Sequence, residues 1–126
     1  MKRLWFPAAL LLLMFAAALG NALALERFTG SLAQTLLQAE ERVGRKDWDG
    51  AEALIRQARE DWHRRDGWLH VTLRHADTDE IQIGFDETLR LLLCREMGEY
   101  AAASAQLVQH LQLVAGAEQL TLENLF

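Results

Sequence analysis

An all-α fold is predicted: one N-terminal transmembrane helix continuing into a small antiparallel helical-hairpin domain of four helices. Three observations carry this expectation. The only proline is Pro7, so nothing beyond it forbids long helices. The chain is rich in Ala, Leu, Glu, Gln and Arg, all good helix formers, and its β-branched residues never alternate. Past residue 25, apolar residues recur at spacings of three and four, the signature of one buried helical face.

The first element is Leu4 to Leu25, 22 residues without a charge. A helix of that length covers about 33 Å, enough to cross a bilayer core. Lys2 and Arg3 precede it and Glu26-Arg27 follow, so the N-terminus is expected in the cytoplasm and the rest outside it. Trp5 sits where an inner aromatic anchor belongs. The division that follows is a membrane anchor over residues 1–25 and an extracytoplasmic domain over 26–126, single-pass in the cell membrane. Membrane lipid is the partner of residues 4–25. Cleavage as a signal peptide is the rival, because Ala22-Leu23-Ala24 has the small-x-small form of a processing site. The stripe running on through Phe28 and Leu32 favours a retained helix. No cysteine follows the segment, which excludes a lipoprotein.

Four further stretches read in order. Helix A carries Phe28, Leu32, Leu36, Ala39 and Val43, with Gly44 as its C-terminal cap. Helix B starts near Asp47 or Asp49, where Asp49 and Glu52 fit a capping box. Its stripe is Ala51, Leu54, Ile55, Ala58, Trp62, Leu69 and Leu73, and Gly67 is expected to dent it without ending it. Asp77-Thr78-Asp79-Glu80 marks the next boundary, with Asp77 as cap and Glu80 closing the box. Helix C shows Ile81, Phe85, Leu89, Leu92 and Leu93 and ends at Gly98. Helix D shows Tyr100, Leu107, Val108, Leu111 and Val114 and closes at Gly116. The remaining tail keeps Leu120, Leu122, Leu125 and Phe126 and is expected to dock. Asp47-Trp48…Ala51 is echoed by Glu99-Tyr100…Ala103, an offset of 52 residues that suggests two hairpins, A/B and C/D.

Charge narrows the function classes. Net charge is −5, and of the 13 basic residues only Lys2 and Arg3 precede Glu26; the other 11 face all 18 acidic ones, giving −7. Nucleic acid is therefore not an expected partner, and the exposed domain should also avoid anionic lipid surfaces. The single cysteine, Cys94, can form no intrachain disulfide and is expected to be a buried thiol.

The anchor, Lys46-Asp47-Trp48…Ala51, Trp62, the run Leu69-His70-Val71…Leu73-Arg74-His75 and the ending Leu120-Thr121-Leu122-Glu123-Asn124-Leu125-Phe126 together resemble a bacterial family of small membrane-anchored proteins. That family is classed as domain of unknown function 4363. The resemblance spans nearly the whole chain and implies an N-terminal membrane helix with a helical extracytoplasmic domain. It brings no activity and no catalytic residues.

Chemistry-bearing residues gather in one stretch. Arg59, His63, Asp66, His70 and Arg74 share a face of helix B, but His63 and His70 lie two turns apart, about 10 Å, and arginines flank them. A solvated, salt-bridged face is the expectation there, with no metal and no cofactor. His75, Asp77, Asp79 and Glu80 cluster at the B/C turn without a calcium-loop pattern. Trp62 and Trp48 are expected to pack, whereas Trp68 falls off the stripe and is the candidate for an exposed contact. Trp68, His70, His75 and Glu80 thus form the candidate functional surface. Ser31 and Ser104 lack the sharp turn that exposes a catalytic serine. The expected role is an interaction or structural module, not an enzyme, working with another membrane or exported protein. A small-ligand or metal sensor built on residues 70–80 is the alternative.

Overall fold

The computed structural model describes residues 2–125, with side chains described for residues 3–117. Five helices account for nearly all of it: α1 (Lys2–Gly44), α2 (Trp48–Arg64), α3 (Asp66–Thr72), α4 (His75–Leu93) and α5 (Met97–Leu125). Helix α1 packs on α2 and α5, and α4 packs on the same two, so the four long helices close an up-down-up-down bundle. Short α3 bridges α2 and α4 at one end. The all-helical fold, with a long apolar helix leading into two antiparallel hairpins, is as the residue pattern predicts.

Core composition follows the periodicity. Helix α1 contributes Leu25, Phe28, Leu32, Leu36 and Ala39; α2 contributes Ala51, Ile55, Ala58 and Trp62. From α4 come Ile81, Phe85, Leu89 and Leu92, and from α5 come Tyr100, Leu107, Leu111 and Val114. Phe28, Trp62 and Phe85 form an aromatic column, with ring centroids 6.2 Å apart at each step. Gly84 lets α4 approach α5 closely, since a Cβ there would stand 2.9 Å from Leu107 Cδ1.

Both hairpin turns have one construction, which was not foreseen. Lys46 and Arg95 adopt left-handed backbone, with φ 61° and 59°. Around the first, Asp47 N–H donates to Arg42 carbonyl and Lys46 N–H to Val43; around the second, Glu96 donates to Leu91 and Arg95 to Leu92. These are paired Schellman closures. Gly44 is therefore the last residue of α1, not the left-handed residue after it. The true offset between the hairpins is 49 residues, matching Lys46 to Arg95, and the 52-residue echo is out of register.

Several boundaries also differ. Asp47, not Asp49, caps α2: its carboxylate accepts from Gly50 N–H, while Glu52 pairs with Arg56. A Cβ at Gly50 would push that carboxylate out of its capping position. Helix B is interrupted at Arg65, two residues before Gly67, so α3 is a separate helix. Helix α4 begins at His75 behind Arg74, which makes no side-chain cap, and Asp77 lies inside its first turn. Gly98 and Gly116 both lie within α5, because one glycine costs a helix only about 1 kcal/mol. The left-handed Arg95 ends α4 near Leu93 instead, which leaves Leu93 and Cys94 exposed. The expected docking of Leu120, Leu122, Leu125 and Phe126 lies outside the described side chains, although the backbone stays helical to Leu125.

Helix α1 has two unlike halves. From Leu4 to Met14 its large apolar side chains are exposed, Leu4 at 77% and Leu12 at 71%, and so is Leu19, while Phe15 between them is half-buried. Ala22 and Leu25 are fully buried by the bundle. By length and composition this helix can cross a membrane.

Candidate functional site

The four residues singled out by sequence all lie near the α3–α4 connection, yet they do not make one site. His70, near the C-terminal end of α3, sets its Nδ1 3.0 Å from Asp66 Oδ1 and 2.7 Å from Asp66 carbonyl. His75, the first residue of α4, brings its ring edge-on to His70, with centroids 5.2 Å apart. The chain reversal at Leu73, in extended conformation between two helices, creates this exposed histidine pair.

Trp68 is not the free aromatic that its position off the stripe suggested. The break at Arg65 re-aims α3, and Trp68 becomes half-buried against the Phe28 ring, 6.0 Å away. Its indole Nε1 donates to Asn21 Oδ1 at 2.7 Å, and Asn21 Nδ2 reaches Thr72 Oγ1 at 3.5 Å. Phe28 also carries the Arg65 guanidinium 4.6 Å over its face. Asn21 therefore clamps α3 against α1, a polar contact inside what reads by sequence as an apolar span. The exposed apolar residue of α3 is Val71, at 88%.

Glu80 belongs to a different group. It points from α4 toward α5, where its Oε2 lies 3.5 Å from His110 Nδ1, and Asp77 Oδ1 lies 3.6 Å from His110 Nε2. His110 went unnoticed in the sequence. Its only signal was a place beside Leu107 and Leu111 on the α5 stripe, and its carboxylate partners come from another helix. These residues, with Arg74 and Thr72, line a cleft of about 640 Å³ between the start of α4 and the second half of α5. A smaller cleft of about 220 Å³ continues along the same pair of helices past Ile83.

The chemistry of this arrangement is limited. His110 with two carboxylates can exchange a proton or hold a polar ligand. Among the described residues no three His, Cys, Asp or Glu side chains converge to hold a metal ion. Ser104 is fully buried. Cys94 lies at the opposite end of the bundle, beside Arg95, whose guanidinium stacks 4.3 Å over Trp48. Arg59 ties α2 to α4 through Asp86 at 2.8 Å, so the charged face of helix B is partly an inter-helix brace.

A four-helix bundle prolonged at its N-terminus by a bare apolar helix defines the structural class. The chain belongs to the family described as domain of unknown function 4363, whose profile matches residues 21–125. The match opens at Asn21, the residue that clamps α3. No curated protein and no solved structure matches this chain.

Proposed function

We propose that this chain is a single-pass protein of the cell membrane, its N-terminus cytoplasmic and its bundle outside, serving as an interaction or structural module and not as an enzyme. The observation that carries this reading is the division of α1. One unbroken helix exposes Leu4, Trp5, Phe6, Leu11 and Leu12 in its first half and builds the bundle core with its second. Water would not tolerate the first half as a bare surface, and lipid would cover it. Packing also favours a retained anchor over a cleaved signal. A cut after Ala24 would remove the buried Ala22 and the Asn21 clamp and leave the buried Leu25 at a fraying end.

For the module's partner, an exported or membrane protein fits best. Ile83 and Leu113 stand exposed beside the two clefts between α4 and α5, an apolar edge that another chain can cover. The net charge of −7 from Glu26 onward speaks against nucleic acid. The test is a C-terminal reporter active only outside the cytoplasm, combined with intact-mass measurement. Signal with Met1 or Lys2 retained supports the reading; a mature N-terminus at Leu25 defeats the anchor.

The larger cleft favours a second reading, a sensor of a small polar ligand around His110, Asp77, Glu80 and Arg74. Calorimetric titration of the solubilised chain with divalent cations checks its metal form. Saturable heat that His110→Ala abolishes would support it.

A further inference from the structure

The part of α1 that the bundle leaves largely exposed is too short for a bilayer on its own. Leu4 to Leu19 is 16 residues, about 24 Å of helix, against a hydrocarbon core of about 30 Å. Reaching that thickness takes roughly four more residues, to about Leu23. Those residues are already embraced by the bundle, through the Asn21 contacts to Trp68 and Thr72 and the burial of Ala22. Whatever level Asn21 occupies, α3 occupies too.

The composition of α3 and its flanks suits that level. From Trp62 to Ala76 the segment carries Arg64, Arg65, Arg74 and three of the chain's four histidines against Asp66. Arg64 pairs with Glu60 and Asp61 just before the segment, and Asp77 stands just after it. Arg65 and Arg74 are the cations of this segment without an ion pair among the described residues, in a domain that is otherwise strongly acidic. Val71 is the most exposed large apolar side chain described, at 88%. Half-buried Trp68 sits beside it, the residue type that favours a membrane–water boundary. Arg74 is exposed and makes no ion pair within 4 Å among the described residues, although Asp77 and Glu80 line the same cleft.

We infer that α3 lies in the phospholipid headgroup layer of the membrane that α1 crosses, with Val71 at the acyl boundary and Arg74 among the phosphates. The bundle then sits on the bilayer instead of standing off it on a stalk. The inference rests on the anchor reading, and the experiment separates the two. In the full chain carrying Cys94→Ser, a fluorophore is attached in turn to Leu11→Cys, Val71→Cys and Ile83→Cys, all exposed positions. Each is reconstituted in phosphatidylcholine–phosphatidylglycerol vesicles containing spin-labelled lipid, shallow or mid-chain.

The label at 11 should be quenched by the mid-chain lipid. The label at 71 should be quenched by the shallow lipid roughly twofold or more beyond the label at 83, which lies far up the bundle. Quenching at 11 with 71 no different from 83 overturns the inference and leaves the anchor standing. Failure to quench at 11 overturns both.

Discussion

Trp62 and Tyr100 are the two largest fully buried side chains, and they make opposite predictions. Trp62 stands between Phe28 and Phe85, so truncation empties the middle of the aromatic column. Trp62→Ala should cost about 3–5 kcal/mol, read from the denaturant midpoint; a small shift would place the ring outside the core. Tyr100 is buried with its hydroxyl beside that of Ser104, and neither makes a hydrogen bond of good geometry. Burial, aided by the nearby Glu40 charge and slightly opposed by Ser104, pushes the Tyr100 phenol up to about 12 from an ordinary 10. The folded state thus favours the neutral phenol. Its contribution is complete below pH 10 and is lost as pH climbs toward 12. Tyr100→Phe should leave stability at neutral pH unchanged or higher, because an unsatisfied buried hydroxyl costs free energy. It should also flatten the alkaline fall in thermal midpoint, and an equally steep fall in the variant would assign it to other groups.

At the scale of elements, the hairpin turns separate what sequence could reveal from what it could not. Helical stripes were legible because burial repeats with the helix period: Leu32, Leu36, Ile55, Phe85 and Leu111 all face inward as their spacing requires. The turns were not, because glycine is the usual marker of left-handed backbone while Lys46 and Arg95 hold those positions. Gly44 and Gly98, each two or three residues away, misled the reading. The candidate site was half legible for a related reason. His70 and His75 are close in sequence and meet in space, but His110 meets Glu80 only through the antiparallel pairing of α4 with α5. Left-handed backbone costs a residue with a Cβ about 1 kcal/mol, which glycine avoids. Lys46→Gly should therefore raise the thermal midpoint. Arg95→Gly should raise it less or lower it, since the same change removes the guanidinium stacked on Trp48. Equal gains at the two sites would mean that the stacking contributes nothing.

The whole molecule turns on where the apolar N-terminal stretch stops and the bundle starts. By hydropathy the boundary falls after Leu25; by packing it falls near Asn21, where the family match also opens. The overlap is possible because α1 is a single helix whose residues 21–25 are apolar enough for lipid and small or aliphatic enough for a core. Two fragments measure the difference. Residues 21–126 keep the Asn21 clamp, Ala22 and every residue of the core cluster, whose first member is Leu25. Residues 26–126 lose the Asn21 clamp, Ala22 and Leu25. Burial of Leu25 alone is worth roughly 1.5–3 kcal/mol, and with the clamp gone α3 loses its hydrogen-bonded tie to α1. In a domain of this size each kcal/mol moves the thermal midpoint by roughly 4–8 °C, so the shorter fragment should melt about 10 °C or more below the longer one. Tryptophan emission, to which Trp48, Trp62 and Trp68 all contribute, should shift to the red in the shorter fragment as Trp68 is uncovered, and Asn21→Ala in the longer fragment should reproduce part of that shift. Equal midpoints and unchanged emission would place the start of the domain at Glu26, and Asn21 to Leu25 would then belong to the membrane segment alone.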